Sequence, residues 1–423
     1  MKKNWYKLDN AAKIYPAISN NRRGSMFSIS AVLSEVIDKQ TLNDAVNAVL
    51  PRFPSFKVKL KRGFFWYYLE ENKKSFNVVE EPPFFLSFIN EKESNDYLFR
   101  VFYLNKKITL CCFHAICDGT GALDFLKAII FEYLLLSGKD IKADGELKTI
   151  YSPFTNEESK DKFVQVYNKN LPKPNKEKNA FKTYGTSFGF DGMGIICGKV
   201  NADDLKAVCK KFDVTVTCYL CSLFIYSIFK VFIKDKKIKN KLVKILVPVN
   251  MRKFYKSETV RNFSLFCRIG HDFEKEITFE QCLELCREQL KNGVEKENLD
   301  KLLNSNVKIE KNWLLKIVPL FLKDLAMKIG YSKVGDNLHT ANLSNLGVVN
   351  LPQSVKPYVE DLFFILGTSF SCKNHMAVIT YNNNVNITFS REIVESQLEK
   401  MFFTELSKQM NVEIISNYWE DEL

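Results

Sequence analysis

The chain has 423 residues, more than one ordinary hydrophobic core accommodates, and this length predicts two or three domains. Its 46% hydrophobic and 26% charged residues are typical of a soluble globular protein. The net charge is +12, from 61 Lys and Arg against 49 Asp and Glu. Such an excess suits nucleic acid, an anionic membrane or a phosphorylated cofactor. The basic residues are spread along the chain and no nucleic-acid motif occurs, so we expect no nucleic-acid partner.

The 11 cysteines are scattered through apolar stretches without a compact framework, which predicts buried thiols in a reducing compartment. The N-terminus has no apolar signal core. The best membrane candidate, residues 214–229, is uncharged but too short for a span. We therefore expect a cytoplasmic protein without stable membrane insertion, in which residues 214–229 form a buried core helix.

The first part of the chain alternates between strand and helix patterns. An apolar run after residue 26 indicates a strand, and Asp38 and Thr41 open a helix that Pro51 stops. Two hairpins are centred on Arg62-Gly63 and Asn105-Lys106. The predicted strands are 27–34, 57–60, 64–69, 97–104 and 107–113, and the predicted helices are 42–50 and 121–136.

A polar, lysine-rich and proline-punctuated stretch at 139–179 predicts a connection between two halves, 1–175 and 176–423. The second half mixes the same elements without the steady alternation of a doubly wound sheet. We therefore predict an α/β protein of the α+β kind. The predicted strands of this half are 194–200, 243–249, 376–381 and 385–390, and the predicted helices are 202–212, 215–233, 313–329 and 392–408.

The segment His114-Ala115-Ile116-Cys117-Asp118-Gly119 carries the clearest chemistry. A strand ends at His114, and a glycine-bearing turn leads into the next helix, a place where functional side chains usually lie. Imidazole has a pKa near neutrality and can accept a hydroxyl or amine proton and later return it. Asp118 suits an ion pair that fixes the turn, or a helix cap, and Gly119 permits close backbone approach. A buried structural histidine is the alternative interpretation.

Two other chemistries use the same neighbourhood. Cys111, Cys112, His114 and Cys117 suggest zinc, but adjacent strand residues point to opposite faces, so Cys111 and Cys112 do not share one ion. We therefore predict no metal. Cys112 and His114 do share a face, which permits a thiolate–imidazole pair. Its neighbours favour packing for Cys112 over a role as nucleophile.

The same segment resembles the HxxxDG signature of the chloramphenicol acetyltransferase and condensation-domain superfamily, and the alcohol acetyltransferase-like branch fits best. The resemblance covers nearly the whole chain in the expected order, although Phe113 stands where condensation domains commonly carry a second histidine. Further similar stretches are Phe53-Pro54-Ser55-Phe56, Arg62-Gly63-Phe64-Phe65-Trp66-Tyr67-Tyr68-Leu69, Pro248-Val249-Asn250-Met251-Arg252, Arg261-Asn262-Phe263, Ser344-Asn345-Leu346-Gly347 and Asn386-Ile387-Thr388-Phe389-Ser390.

The resemblance implies two similar halves, each a mixed sheet with helices, and an active-site channel between them. It implies an acyltransferase that moves an acyl group, acetyl by expectation, from acyl-coenzyme A to a hydroxyl, with His114 as general base. Acyl-coenzyme A is then a co-substrate, and no cofactor is bound. Asp118 and Gly119 are matched to structural roles, with Arg252 as the partner of Asp118. Asn250, Ser344, Asn345 and Gly347 are matched to substrate binding, the last three in a loop.

Two alternatives remain open. One is an acyltransferase or condensation enzyme that takes its acyl group from a carrier protein and forms an ester or amide. The other is a non-catalytic member of the superfamily, against which the intact histidine motif argues. The sequence leaves acyl length, acceptor, oligomeric state and pathway undetermined.

Overall fold

The computed structural model describes residues 5–19, 25–83, 86, 93–145, 147–168, 171–172, 176–189, 192–331, 335–368 and 371–416. The extreme N-terminus and part of the expected connection, 173–175, lie outside these residues. The strands are β1 Trp5–Lys7, β2 Met26–Leu33, β3 Val58–Arg62, β4 Tyr67–Glu71, β5 Val79–Glu80, β6 Phe99–Leu104, β7 Lys107–Phe113, β8 Gly194–Asn201, β9 Leu242–Asn250, β10 Ser264–Asp272, β11 Ala341–Val348, β12 Val359–Leu366, β13 Asn374–Tyr381, β14 Asn384–Arg391 and β15 Glu413–Ser416.

Twelve α-helices connect and cover these strands in the described part of the chain. Several begin with a side-chain cap, as where Asp38 accepts a hydrogen bond from Thr41 N. They are α1 Tyr15–Ile18, α2 Lys39–Val49, α3 Gly119–Leu136, α4 Lys162–Gln165, α5 Ala202–Lys211, α6 Val216–Ile228, α7 Arg252–Tyr255, α8 Phe279–Gly293, α9 Lys296–Lys311, α10 Trp313–Ile317, α11 Leu320–Gly330 and α12 Gln397–Ser407.

The first half is built on a five-stranded sheet in the order β12-β2-β7-β6-β5. The strands β2 and β7 are antiparallel and almost entirely buried, so their apolar runs are not interrupted by polar alternation. The helices α2 and α3 pack against each other and share a core with this sheet. At the end of β7 the chain turns directly into α3, and this turn carries His114.

The second half is built on a seven-stranded mixed sheet in the order β10-β9-β11-β13-β14-β8-β15. The strand β11 runs parallel to both of its neighbours, and the other pairings are antiparallel. The helix α6 continues through a π-helical turn to Ile233. This 18-residue segment is apolar and long enough to cross a membrane, but 72% of it is buried inside the fold. It forms part of the core of the second half.

The two halves are not independent units of sequence. The strand β12 belongs to the predicted half 176–423, yet it pairs antiparallel with β2 at the edge of the first sheet. Phe364 of β12 lies edge-on to Phe27 of β2 in the core of the first half. Sequence periodicity identifies strands but not the strands they pair with. The predicted division into two continuous segments therefore does not account for the pairing of β12 with β2.

Three expectations about local structure are wrong. The helix predicted at 313–329 is two helices, α10 and α11, separated at Pro319 because proline has no N–H to continue the first helix. The last helix begins at Gln397 rather than near residue 392, since the backbone of Glu392 and Val394 is hydrogen-bonded to other segments. The stretch 344–347 is part of β11, with a register shift, and is not a loop.

Candidate active site

His114 lies in the turn between β7 and α3, where its backbone N–H donates to Ser25 O. The ring is partly buried between two aromatic side chains. Tyr15 stacks on it with ring centroids 4.6 Å apart, and Phe27 meets it edge-on at 5.2 Å. The imidazole plane is therefore fixed by packing on two sides, and the remaining side lines a channel.

The amide of Asn262 determines which nitrogen of His114 carries the proton. Its Nδ2 donates to His114 O at 3.0 Å and to Asp9 Oδ2 at 3.2 Å, so the amide oxygen is turned towards the ring. Asn262 Oδ1 lies 3.0 Å from His114 Nδ1 and accepts its hydrogen. In this neutral tautomer Nε2 carries the lone pair, as a general base requires.

Burial lowers the pKa of His114 below that of an ordinary histidine. Asp118 and the hydrogen bond to Asn262 raise this pKa, but their effect is smaller than that of burial. The ring is therefore neutral at pH 7. A shielded, neutral imidazole with an oriented proton is suited to accept a proton from a bound hydroxyl.

Asp118 is the centre of a hydrogen-bonded network that joins the two halves. Its carboxylate receives Arg252 Nη1 on Oδ2 at 2.8 Å and Arg252 Nη2 on Oδ1 at 3.0 Å. The backbone N–H of Phe263 and the hydroxyl of Ser264 also donate to Oδ2, each at 2.9 Å. The same carboxylate caps α3 through Gly121 N. Ion pair and helix cap, expected as alternatives, are both present.

This network keeps the buried carboxylate charged. Burial by itself raises the pKa of Asp118, but the Arg252 guanidinium and the backbone donors of Phe263 and Gly121 lower it overall. Arg252 is held in turn by Thr259 O, by Arg261 O and by Asn250 Oδ1. Asp118 is thus bonded to Arg252, Phe263 and Ser264 of the second half, and these bonds fix the turn carrying His114 against that half.

Asn250 lines the channel, and its Nδ2 donates to Thr120 Oγ1 at 3.2 Å, so it bridges β9 and α3 as well as supporting Arg252.

The close backbone approach expected at Gly119 occurs two residues later. A Cβ atom on Gly121 would lie 1.9 Å from Val260 O, which is backbone of the second half. A Cβ atom on Gly119 would lie 2.7 Å from Leu346 Cδ2, the end of a flexible side chain. Gly121 therefore permits the two halves to meet behind the motif, and Gly119 makes room for Leu346 beside the channel.

Ser344, Asn345 and Gly347 all line the channel, from β11. Two of their polar groups are already used: Gly347 N donates to Asn345 Oδ1 at 2.8 Å, and Asn345 Nδ2 donates to Thr217 Oγ1 at 3.1 Å. Gly347 has a φ of +75°, which favours glycine at this bulge. The hydroxyl of Ser344 and the second hydrogen of Asn345 Nδ2 are donors of this stretch that have no recorded partner among the described residues.

The channel has a volume of about 2170 Å³ and runs between the halves. His114, Tyr15 and Phe27 line it from the first half, and Ser344 and Asn345 line it from the second. The space is larger than a typical small-molecule pocket of about 300–1,000 Å³. Its volume is sufficient for more than one small-molecule ligand, and His114 is among the residues that line it.

Cys112, close to His114 in the chain, has the properties of a protonated thiol. Cys112 is fully buried, and burial together with the neighbouring Cys117 raises its pKa, so a reactive thiolate is disfavoured.

A possible metal-binding group lies elsewhere. Ligand atoms of Asp336, His339 and Cys372 lie within 4.8 Å of one another. The ammonium of Lys182 donates to the carbonyl oxygens of Asp336 and His339 and lies 3.5 Å from Cys372 Sγ. The positively charged side chain of Lys182 therefore lies next to these three possible ligands.

Sequence reasoning named His114, Asp118 and Arg252, which the structure brings together, but assigned no site role to Asn262, Tyr15 or Asp9. Asn262 is 148 positions from His114, and its only signal was the resemblance of Arg261-Asn262-Phe263 to a family stretch. A tyrosine and an asparagine far away in sequence carry no pattern that marks them as neighbours of the His114 ring.

Comparison with known proteins gives a family and a fold for the chain. The model of a family described as alcohol acetyltransferase matches residues 195–410. A search of curated proteins gives no match.

Solved structures are similar over almost the whole chain. The trichothecene 15-O-acetyltransferase TRI3 from Fusarium sporotrichioides is 11% identical, with a TM-score of 0.61 and coverage of 96% of this chain and 94% of that one. TRI101 of F. graminearum, complexed with coenzyme A and deoxynivalenol, is 9% identical, with a TM-score of 0.62 and coverage of 97% and 99%. The starter condensation domain of rhizomide synthetase RzmA, complexed with C8-CoA and Leu-SNAC, is 9% identical, with a TM-score of 0.60 and coverage of 96% and 95%. At such identities the likeness shows the fold: two lobes of the acetyltransferase and condensation type.

Proposed function

Because the chain belongs to the alcohol acetyltransferase family and is an acyltransferase of the condensation-domain superfamily, we propose that it transfers an acyl group from a coenzyme A thioester to a hydroxyl acceptor, with His114 as general base. The observation that carries this proposal is the contact between His114 Nδ1 and Asn262 Oδ1 at 3.0 Å. It assigns the proton to Nδ1 and leaves the Nε2 lone pair for the substrate.

The reaction follows from this tautomer. His114 Nε2 takes the proton of the acceptor hydroxyl, and the oxygen forms a bond to the thioester carbonyl carbon. The resulting oxyanion collapses, the carbon–sulfur bond breaks, and the thiolate takes the proton back from the imidazolium. Asn262 Oδ1 accepts from Nδ1 throughout and stabilises the imidazolium. No acyl-enzyme is required, and the raised pKa of Cys112 agrees with direct transfer.

A hydrogen-bond donor to the oxyanion is typically worth about 3 kcal/mol of barrier. We assign this role to the hydroxyl of Ser344, which lines the channel. Gly347 N is bonded to Asn345 Oδ1, and one hydrogen of Asn345 Nδ2 is bonded to Thr217 Oγ1.

Two observations support coenzyme A as the carrier of the acyl group. Lys210 and Lys291 line the channel, form no ion pair with a described residue, and are suited to phosphate groups. The solved complexes of TRI101 and RzmA contain coenzyme A and an acyl-coenzyme A respectively. We also propose a cytoplasmic location, which the burial of the 11 cysteines as free thiols supports.

A carrier protein is the second candidate donor. The resemblance of the chain to condensation domains implies this alternative, and the same channel and the same base serve a pantetheine thioester attached to a protein. An amine acceptor is then as suitable as an alcohol.

The proposal is tested by incubating the purified protein with radiolabelled acetyl-coenzyme A and a pool of alcohols and amines, followed by chromatography of the extracted products. We expect a labelled ester that His114→Ala does not form. Label released only as free acetate at the uncatalysed rate, with octanoyl-coenzyme A equally unreactive, contradicts coenzyme A as donor. Formation of a labelled product from an acyl-carrier protein in the same assay then identifies the carrier protein as the donor.

A further inference from the structure

A group of large apolar side chains is exposed on one side of the molecule. The tip of the β3–β4 hairpin presents Phe64, Phe65 and Trp66, with exposed fractions of 71%, 40% and 36%. The helix α11 presents Phe321, Leu322, Leu325 and Ile329, between 45% and 60% exposed. The positions 321, 325 and 329 are spaced four apart and lie along one stripe of the helix. We call these seven residues the docking face.

The two parts of the docking face are held together by specific contacts. Leu320 N donates to Phe64 O at 2.8 Å, and Lys323 Nζ donates to Phe65 O at 2.9 Å and lies 3.4 Å from the centre of the Trp66 ring. Tyr67 Oη donates to Asp324 Oδ2 at 2.9 Å. Hairpin tip and helix therefore present their apolar side chains as one surface. The helix α10 immediately precedes this surface and exposes Trp313 and Ile317, at 67% and 61%.

Basic residues accompany these apolar ones. Lys316 of α10 and Lys328 of α11 are exposed and form no ion pair with a described residue. The acidic residue of α11, Asp324, is engaged by Tyr67 and by Arg62. Exposed Trp, Phe and Leu with unpaired lysines are the composition of helices that lie in the interface of an anionic membrane. The net charge of +12 also favours binding to an anionic membrane.

The docking face adjoins the channel. Trp66 and Leu322 belong to the docking face and also line the channel. The inner side of α11 lines it as well, through Leu320, Ala326 and Met327. The helix α1, whose Tyr15 stacks on His114, packs against α11. An apolar molecule leaving a bilayer at this surface meets apolar walls on its way towards the imidazole.

We propose that the docking face binds the surface of a membrane containing anionic phospholipids, and that a lipophilic acceptor enters the channel from that membrane. The second clause rests on the proposed function; the first does not. The binding is interfacial and needs no spanning helix. A membrane accounts for both features of this surface, apolar side chains at a hairpin tip and a helix, and lysines without acidic partners. A second copy would bring these lysines together at a symmetric contact.

The test is flotation of the 423-residue chain with two kinds of vesicle at low and high salt. One kind is phosphatidylcholine alone, and the other is phosphatidylcholine with 30% phosphatidylserine, a composition of our choosing. We expect binding to the anionic vesicles that weakens with salt. Phe321→Ser combined with Leu325→Ser should reduce the partition coefficient at least tenfold, because serine removes the groups that enter the acyl region. Lys316→Gln combined with Lys328→Gln should reduce it about fivefold per lysine on anionic vesicles and leave neutral vesicles unaffected.

Two exposed residues elsewhere, Val36 at 69% and Tyr151 at 79%, provide the matched control, and their serine variants should bind as the wild type does. Thermal unfolding verifies that all variants are folded. Equal binding to neutral and anionic vesicles, or no binding at all, overturns the proposal. So does a concentration-dependent dimer that Phe321→Ser with Leu325→Ser abolishes without any vesicle binding. His114→Ala should float like the wild type, so failure of the proposed reaction and failure of docking are distinguishable.

Discussion

Replacing His114 by alanine tests the proposed base directly. The ring is partly open to the channel, so its loss removes the proton acceptor without leaving a buried charge. We expect turnover to fall about a hundredfold or more, with a melting temperature close to that of the wild type. His271 lies outside the residues that line the channel, and His271→Ala is the matched control that should keep activity. Unchanged turnover of His114→Ala would remove the histidine from the reaction.

Asn262 is a positioning residue, and its role has a pH signature. The pKa of His114 is lowered by burial, so wild-type kcat/KM should be level at neutral pH and decline only as the pH falls below about 6.5. The bond from Nδ1 to Asn262 stabilises the imidazolium and thus raises this pKa in part. Asn262→Ala should therefore lower kcat and move the acid limb to still lower pH. A lower kcat with an unmoved acid limb, measured in the same buffers, would indicate a structural role alone.

At the scale of elements, Asp118 joins the start of α3 to α7 and β10. Removing one partner of a buried ion pair strands a charge, at a cost on the order of 3–5 kcal/mol. We expect Asp118→Asn and Arg252→Ala each to lower stability and activity, and their combination to cost much less than the sum. Arg252→Lys should retain only part of the stability and activity that Arg252→Ala loses, because lysine lacks the planar, two-pronged donor group of arginine.

The coupling is measured by a double-mutant cycle in urea. The exposed pair Lys206–Asp203 on α5, with side chains 61% and 72% exposed, is the control and should show a coupling below about 1 kcal/mol. Asp118 also caps α3. An asparagine is a good capping residue too, so Asp118→Asn retains part of the stability that the cap contributes. Additive losses would leave the cap as the main role of Asp118 and contradict the ion pair as a stabilising contact.

The elements that could be predicted from the sequence are those whose pattern is local. The strands β2 and β7 and the helices α3 and α6 follow from apolar periodicity, caps and glycines near their ends. His114 was found because its motif is contiguous. Asn262, β12 and the bulge at Gly347 could not be placed in this way, since each depends on a partner that lies far away in the chain. Pro319 is different: it is a local breaker of the predicted helix 313–329.

At the scale of the whole molecule, β12 makes the first half depend on the second. We expect a fragment of residues 1–175 to be insoluble or unfolded, because the edge of β2 would be unpaired and the core would lack Phe364 and Leu362. Co-expression with a fragment of residues 176–423 should restore a soluble complex. Circular dichroism and size-exclusion chromatography of the separate fragments check this. A monomeric, cooperatively folded 1–175 fragment would show that the exchange is dispensable.

The strand β12 is synthesised long after β2, the strand with which it pairs. The strand β2 ends at Leu33 and its partner begins at Val359, so the second edge of β2 waits while roughly 300 residues are synthesised, on the order of 15–60 s at ordinary elongation rates. Throughout this interval the nascent chain exposes a long apolar edge able to pair with a neighbouring copy. Yield in a heterologous host should therefore depend on chaperones that bind unfinished chains, and slower translation should aggravate the loss instead of relieving it.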